Sequence, residues 1–377
     1  MPKWRFMQCA GQPEPTPISP ASAAEDPVIE ALRGFAALMV VATHYAYMLS
    51  SQPKAWGFAS TGVDLFFVLS GYVFAPYFFG KKLSVGPHLI RRFFRLYPLY
   101  VAALLLYVAL KLPDGGAWRH FVVHLVMGHT LSSTEVAFFY NPAFWSLPAE
   151  VEYYLLLPLL VWLAGRTGFL GLLLVSIGLH MALLAAADPA EPANSARAIA
   201  MVHTPGLLVE FLLGSAAYWA AQRYPGQAGA WWRLCMGMCS LLAVGLAYAW
   251  LIAPGVAKVP SPSLWVSGNI GVGAAVGYAA VVSALVCLVR LVGAATRWCF
   301  LLMGQLSYGV YLFHNASPKL LAMGGVPATG WLALVSALAA TFVMAWAAHH
   351  AIEHPFRHYG RRLSQRLERP KQATSSG

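Results

Sequence analysis

The chain has 377 residues, of which 59% are hydrophobic and only 10% charged. Soluble domains carry about 25% charged residues, so this composition cannot cover a water-facing surface. It excludes a soluble globular enzyme, and it makes the net charge of +11 a sign of membrane orientation rather than of nucleic-acid binding.

Residues 1–27 contain Lys3, Arg5 and several prolines but no apolar signal segment. They are expected to form a disordered cytoplasmic tail. Apolar runs follow at roughly 28–49, 60–79, 96–112, 118–131, 147–164, 168–187, 204–222, 233–252, 268–291, 298–321 and 329–351, most of them near the length of about 20 residues that spans a bilayer. Lys81, Lys82, Arg91, Arg92 and Arg95 mark the loop at 80–95 as cytoplasmic. Arg223 and Arg233, Arg290 and Arg297, and the segment with Arg357, Arg361 and Arg362 mark three more cytoplasmic positions. The intervening loops at 50–59, 188–203 and 253–266 carry little positive charge and face outward.

Parity then constrains the fourth run. The third ends outside near Pro113, and the fifth must begin outside near Trp145. The fourth is also the shortest and holds His120, His124 and His129, so it lies at the interface or re-enters. The expected fold is an all-α polytopic bundle of about ten transmembrane helices plus one short non-crossing helix. The domain spans 28–356, with both termini inside and a basic cytoplasmic tail at 357–377. No internal repeat suggests a two-fold transporter.

Polar residues within these spans form two levels. Arg33 and His44 are eleven positions apart in the first span. That is close to three helical turns, so they share a face about 16 Å apart. His44, Asp64, Glu150 and His314 are expected near the outer ends of four helices, with Glu152 beside them. Arg33, Arg91, Arg92 and Arg95 form the inner level. Ionisable groups at membrane depth are costly unless paired or hydrated, which favours function. Separately, His44 reads equally as an interfacial histidine, Asp64 and Glu150 as helix-start carboxylates, and the arginines as an orientation signal. Together they suit one chemistry. A histidine held by a carboxylate activates a hydroxyl, and arginines bind phosphate. Acyl-coenzyme A has a phosphorylated head for one level and an arm that reaches the other. His44, Asp64 and Glu150 are therefore expected to be catalytic, Arg33, Arg91, Arg92 and Arg95 to bind acyl-CoA, and Glu152 and His314 to line the acceptor pocket. Acyl-CoA is a co-substrate, and no cofactor or metal is expected.

The chain resembles the acyltransferase 3 family, the membrane acyltransferases that include O-antigen acetylases. The resemblance rests on ALRGFAALMVVATH (31–44), GVDLFFVLSGYV (62–73), RRFFRLYPLY (91–100), FWSLPAEVEYYLLLP (144–158), FLLGSAAYW (211–219), GQLSYGVYLFH (304–314) and IEHPFR (352–357). It implies transfer of an acyl group, often acetyl, from cytoplasmic acyl-CoA to a hydroxyl of an envelope carbohydrate or glycolipid at the inner membrane. By motif, His44 is similar to the family's catalytic histidine, Arg33 to its companion, Arg92 and Arg95 to the donor-loop arginines, and Glu150 to the glutamate after Trp-Ser-Leu. Val151-Glu152 departs from the Glu-Gln frequent at that place, which leaves the role of Glu152 open. Some members carry a C-terminal hydrolase-like domain. Without one, this chain is expected to act alone or with a separate periplasmic partner.

Three further signals are weaker. HAIEH (350–354) has zinc-ligand spacing but runs into Pro355, which breaks the helix that spacing requires. The five cysteines lack metal or secretory spacing. An intramembrane His/Asp relay could instead serve a glycolipid transporter or flippase, the alternative reading.

Overall fold

The computed structural model describes residues 26–50, 53–186, 195–252, 264–289 and 293–368. These residues form helices and no strand. The long helices are α1 (Pro27–Tyr45), α2 (Gly62–Phe78), α3 (Val85–Lys111), α4 (Ser146–Thr167), α5 (Phe169–Ala185), α6 (Thr204–Arg223), α7 (Gln227–Ile252), α8 (Leu264–Leu288), α9 (Ala294–Phe313), α10 (Trp331–Ala348) and α11 (His354–Glu368). Among the described residues, eight helices are long and apolar enough to cross a membrane: α1, α2, α3, α4, α6, α7, α8, and α10 running on into α11. The two other expected spans are also helical. α5 has 17 residues, and α9 runs alongside α1. The molecule is an all-α polytopic membrane bundle.

The expected disordered tail lies outside the described residues up to residue 25. At the other end, the basic segment from Arg357 is helix as far as Glu368, and 369–377 lie outside the described residues. α11 packs along α3: Gly360 sits against Phe94, and Arg91 bonds Glu368 at 2.9 Å and Ser364 at 3.3 Å.

Local chemistry sets the helix starts that matter most. Asp26 caps α1 by accepting from the Val28 N–H at 2.8 Å, and Pro27 occupies the first turn, where its missing N–H costs nothing. α2 is preceded by a 3₁₀ segment, Pro53–Thr61. α4 is preceded by a 3₁₀ turn, Pro142–Trp145, capped by Asn141.

Three close approaches fix relative depth. Gly34 of α1 lies against Met303, and ten residues further on His44 lies against His314, so α1 and α9 are parallel and in register. Gly62 lies against the Ala36 carbonyl, Met39 and Val40, so α2 begins beside the middle of α1. Gly71 and Gly214 bring α2 and α6 together. A Cβ on Gly71 would strike the Phe211 carbonyl, and one on Gly214 the Val68 carbonyl. In a bilayer, where water expulsion does not drive helices together, such small-residue contacts supply the packing.

The fourth apolar run, 118–131, holds one short helix, Phe121–Leu125, as expected, and a second, Thr134–Ala137, follows the run. His120 and Met127 hold positive φ angles of 66° and 55° on either side of the first helix and confine it to little more than one turn. The segment packs through its histidines. The rings of His124 and His129 stack 4.4 Å apart and 4° from parallel. The Nδ1–H of His124 donates to the His120 carbonyl at 3.0 Å, and the Nε2–H of His129 to the Phe144 carbonyl at 3.1 Å. Burial lowers both to about 4, so both are neutral near pH 7.

Candidate active site

His44 stands in the last turn of α1, and His314 directly follows α9. The parallel packing brings their rings to 4.8 Å, tilted by 58°. The Tyr45 hydroxyl locks the pair by donating to the His314 carbonyl at 2.7 Å. His44 Nδ1 lies 2.9 Å from the Val40 carbonyl, and His314 Nδ1 2.8 Å from the Tyr311 carbonyl. A carbonyl only accepts, so each Nδ1 carries the hydrogen and each Nε2 presents a lone pair. His314 Nε2 is buried with no partner. The site therefore holds two imidazoles in the tautomer a general base needs.

Asp64 does not hold His44. Its hydrogen bond goes to Glu210 of α6, and both carboxyls face Gly271 of α8, where a Cβ would lie 2.7 Å from Asp64 Oδ1. A bond between two carboxyls requires a proton on one of them. The expected level of Asp64 also needs correction. The Thr43 hydroxyl reaches the Trp56 carbonyl at 3.2 Å, so residue 56, not residue 64, is level with His44. The 3₁₀ segment has carried the chain inward, and Asp64 lies on the order of 10 Å deeper.

Glu150 is also deeper than its sequence position suggests. It accepts from the Tyr154 hydroxyl and from Ser70 Oγ at 3.2 Å. Ser70 is eight residues beyond Gly62, about 12 Å further along α2. The reason is that α4 starts inside the bundle. Asn141 donates to the Leu312 carbonyl at 3.1 Å, and Ser146 shares a 2.7 Å hydrogen bond with Tyr311. Glu152 points elsewhere. It bonds His203, the Thr204 N–H at 2.9 Å and the Thr204 hydroxyl at 2.8 Å. It thus caps α6, and no hydrogen bond joins it to His44 or His314 among the described residues.

At the other level the four arginines differ. Arg33 pairs with Glu30, and Arg91 is engaged by α11. Arg92 lies over the rings of Phe74 (5.1 Å) and Tyr154 (5.8 Å), with its Nε buried and unpartnered. Arg95 has no carboxylate in direct contact among the described residues. Glu30, Glu353, Tyr154 and Glu150 make its wider electrostatic surroundings. Arg92 and Arg95 are thus the two of the four without a direct carboxylate contact among the described residues. In the HAIEH element, Glu353 bonds His349 at 3.1 Å and Arg357 at 3.2 Å, and His350 donates to the Trp346 carbonyl at 2.8 Å.

Comparison with known proteins settles the family. The acyltransferase 3 profile, an acyltransferase domain, matches residues 26–350. The chain belongs to the acyltransferase 3 family. It is 44% identical over 87 residues to protein 2 in the picA locus of Rhizobium radiobacter, covering 22% of this chain and 44% of that protein. It is 33% identical over 150 residues to the acyltransferase MdmB of Streptomyces mycarofaciens, covering 35% of this chain and 38% of that protein. The chain thus spans less than half the length of the curated relatives it matches. No solved structure matches it.

Family and fold together place this chain among polytopic membrane proteins built on the acyltransferase 3 domain. Sequence reasoning missed Glu210 and Tyr154 as members of its polar interior. Glu210 could have been found by the rule applied to Asp64, since it is an isolated carboxylate in an apolar span and is 1% exposed. Tyr154 carried no such signal, because aromatic residues are common in spans.

Proposed function

We propose that this acyltransferase moves an acyl group, acetyl in the simplest case, from acyl-CoA to a hydroxyl of an envelope or extracellular carbohydrate or glycolipid. The observation that carries the reading is the separation of two levels in one bundle. The His44–His314 pair lies at one end of α1 and α9, and Arg92, whose Nε is buried without a partner, lies with Arg95 toward the other. The arginines suit the donor's phosphates, with Arg33 and Arg91 framing them. His44 Nε2 takes the proton of the acceptor hydroxyl, and that oxygen attacks the thioester carbonyl carbon. The C–S bond breaks, and the departing thiolate takes the proton back from the imidazolium, giving ester and free thiol. His314 Nε2 offers an acceptor for a hydroxyl in the acceptor pocket. Glu150, beside Tyr154, lies between the levels on the donor's path.

This reading puts the protein in the inner (plasma) membrane with residues 27 and 368 on the cytoplasmic side. The test uses purified protein in vesicles with radiolabelled acetyl-CoA and envelope glycan extracts. Label should enter the glycan, and none should enter with His44→Ala. The proton-sharing Asp64–Glu210 pair is what a proton-coupled glycolipid transporter would also need. Glycolipid movement without added acyl-CoA would favour that reading.

A further inference from the structure

The chain passes from α10 to α11 through a single π-helical turn, His349–Glu353. Such wide turns occur mostly as isolated interruptions of α-helices and often mark functional sites. This one carries a buried carboxylate. Glu353 is 3% exposed, and it accepts from His349 Nδ1 at 3.1 Å and from Arg357 Nη1 at 3.2 Å. Arg357 is four residues on, one turn away on the same face.

This ion pair fastens the start of α11, but fastening alone gives no reason for its surroundings. Arg95 of α3 is an electrostatic neighbour of both Glu353 and Arg357, and Glu30 of α1 is a neighbour of both arginines. Arg33, bonded to Glu30, and Arg92 adjoin the same group. Three helices thus bring four guanidiniums to Glu30 and Glu353. Counting Glu150 as well, which Tyr154 and Ser70 already hold, one positive charge is left over. Like charges gathered at membrane depth are costly unless an anion joins them.

Depth indicates which anion. Along α3, higher residue numbers lie nearer the histidines. The Tyr308 hydroxyl donates to the Leu96 carbonyl at 3.0 Å, and the Tyr107 hydroxyl to the Leu312 carbonyl, two residues before His314, at 3.0 Å. Arg95 is therefore about one turn closer to the His44–His314 pair than Arg92. In acyl-CoA the pyrophosphate adjoins the arm that carries the thioester, and the 3′-phosphate lies beyond the ribose. The level of Arg95 and Arg357 suits the pyrophosphate.

We propose that Arg357 is a further donor ligand, which binds the acyl-CoA pyrophosphate together with Arg95, and that Glu353 is the positioning residue that holds its guanidinium there. The assignment rests on the acyl-CoA reading above. It gives the IEHPFR segment (352–357) a place in the site. Because Glu353 is itself an anion, it also opposes the phosphate it helps to seat.

The test is equilibrium binding of CoA and of 3′-dephospho-CoA to the full chain in lipid nanodiscs, by calorimetry, with an unfolding temperature for each variant. Wild type should bind both. Arg357→Gln should weaken both by the same factor, about ten-fold or more, the scale of a lost hydrogen bond to a charged group, and Arg357→Lys should restore part of the loss. Glu353→Gln keeps an acceptor for Arg357 but removes the negative charge. It should bind CoA roughly three-fold tighter, even as its unfolding temperature falls. A merely structural ion pair would not move the two variants in opposite directions. Unchanged binding by Arg357→Gln, binding by Glu353→Gln no tighter than wild type, or a loss seen with CoA and absent with 3′-dephospho-CoA would each overturn the assignment. The Glu353→Gln result decides even where Arg357→Gln does not fold. Wild-type protein that binds neither ligand would overturn the acyl-CoA reading itself, whereas wild-type binding that Arg357→Gln leaves intact overturns this assignment alone.

Discussion

His44 is oriented by the carbonyl one turn below it rather than by a carboxylate, and this separates two substitutions that sequence alone would treat alike. His44→Ala should lower acyl transfer by about 10²–10⁴-fold, the usual loss for a positioned base, with unchanged insertion and thermal stability. Asp64→Asn preserves a hydrogen-bonding partner for Glu210, so it should leave the pH profile of turnover in place. Asp64→Ala strands Glu210 in an apolar surround and should cost about 1–3 kcal/mol of stability, read as a lower unfolding temperature in detergent. A shifted pH–rate profile for Asp64→Asn would place Asp64 back beside the histidine. Among the arginines, Arg92→Ala should raise KM for acyl-CoA, because its Nε is buried without a partner. Arg91→Ala should instead loosen α11, since Arg91 is already engaged by Glu368 and Ser364.

At the scale of elements, the α2–α6 contact is the most exacting. Gly71→Val would drive a side chain into the Phe211 carbonyl, and backbone cannot yield as a flexible side chain can. Little folded protein should be recovered from membranes, whereas Gly178→Ala on α5, with nothing within 4 Å, should behave as wild type. The segment between α3 and α4 has its own signature. Burial holds His124 and His129 down at about 4, below the ordinary histidine value near 6.5. The unfolded chain therefore binds more protons than the folded one between about pH 6.5 and 4. Their contribution is complete above that window and is lost as pH falls through it. Thermal stability should drop over this range, and more gently in a His124→Phe, His129→Phe double variant. The expected short helix is cut to Phe121–Leu125 because His120 and Met127 on either side of it adopt positive φ, a detail that hydropathy averaging does not register.

For the whole molecule, the distance between the two levels predicts vectorial chemistry. In sealed, oriented vesicles, acetyl-CoA on the arginine side should acylate an acceptor supplied only on the histidine side. Transfer only when both are on one side would break the through-membrane arrangement without touching the enzyme class. Orientation has an independent check. Single cysteines at Gly115 and Thr134 should label from the same, external face, because the segment between them holds no helix long enough to cross.

Membrane class, the all-helical architecture and the family were legible in the sequence. Hydropathy and loop charge are sums over many residues, and they tolerate errors at any one. The spacing from Arg33 to His44 lies within a single helix, where periodicity suffices. The depth of Asp64 and of Glu150, the capping role of Glu152 and the Asp64–Glu210 pair were decided only by the tertiary structure. Depth depends on where a helix begins, and here α2 and α4 begin below the surface, after 3₁₀ segments whose placement is set by contacts with α1 and α9. Which carboxylate meets which partner depends in turn on glycines far apart in the chain that let backbones touch, and no local pattern encodes that meeting.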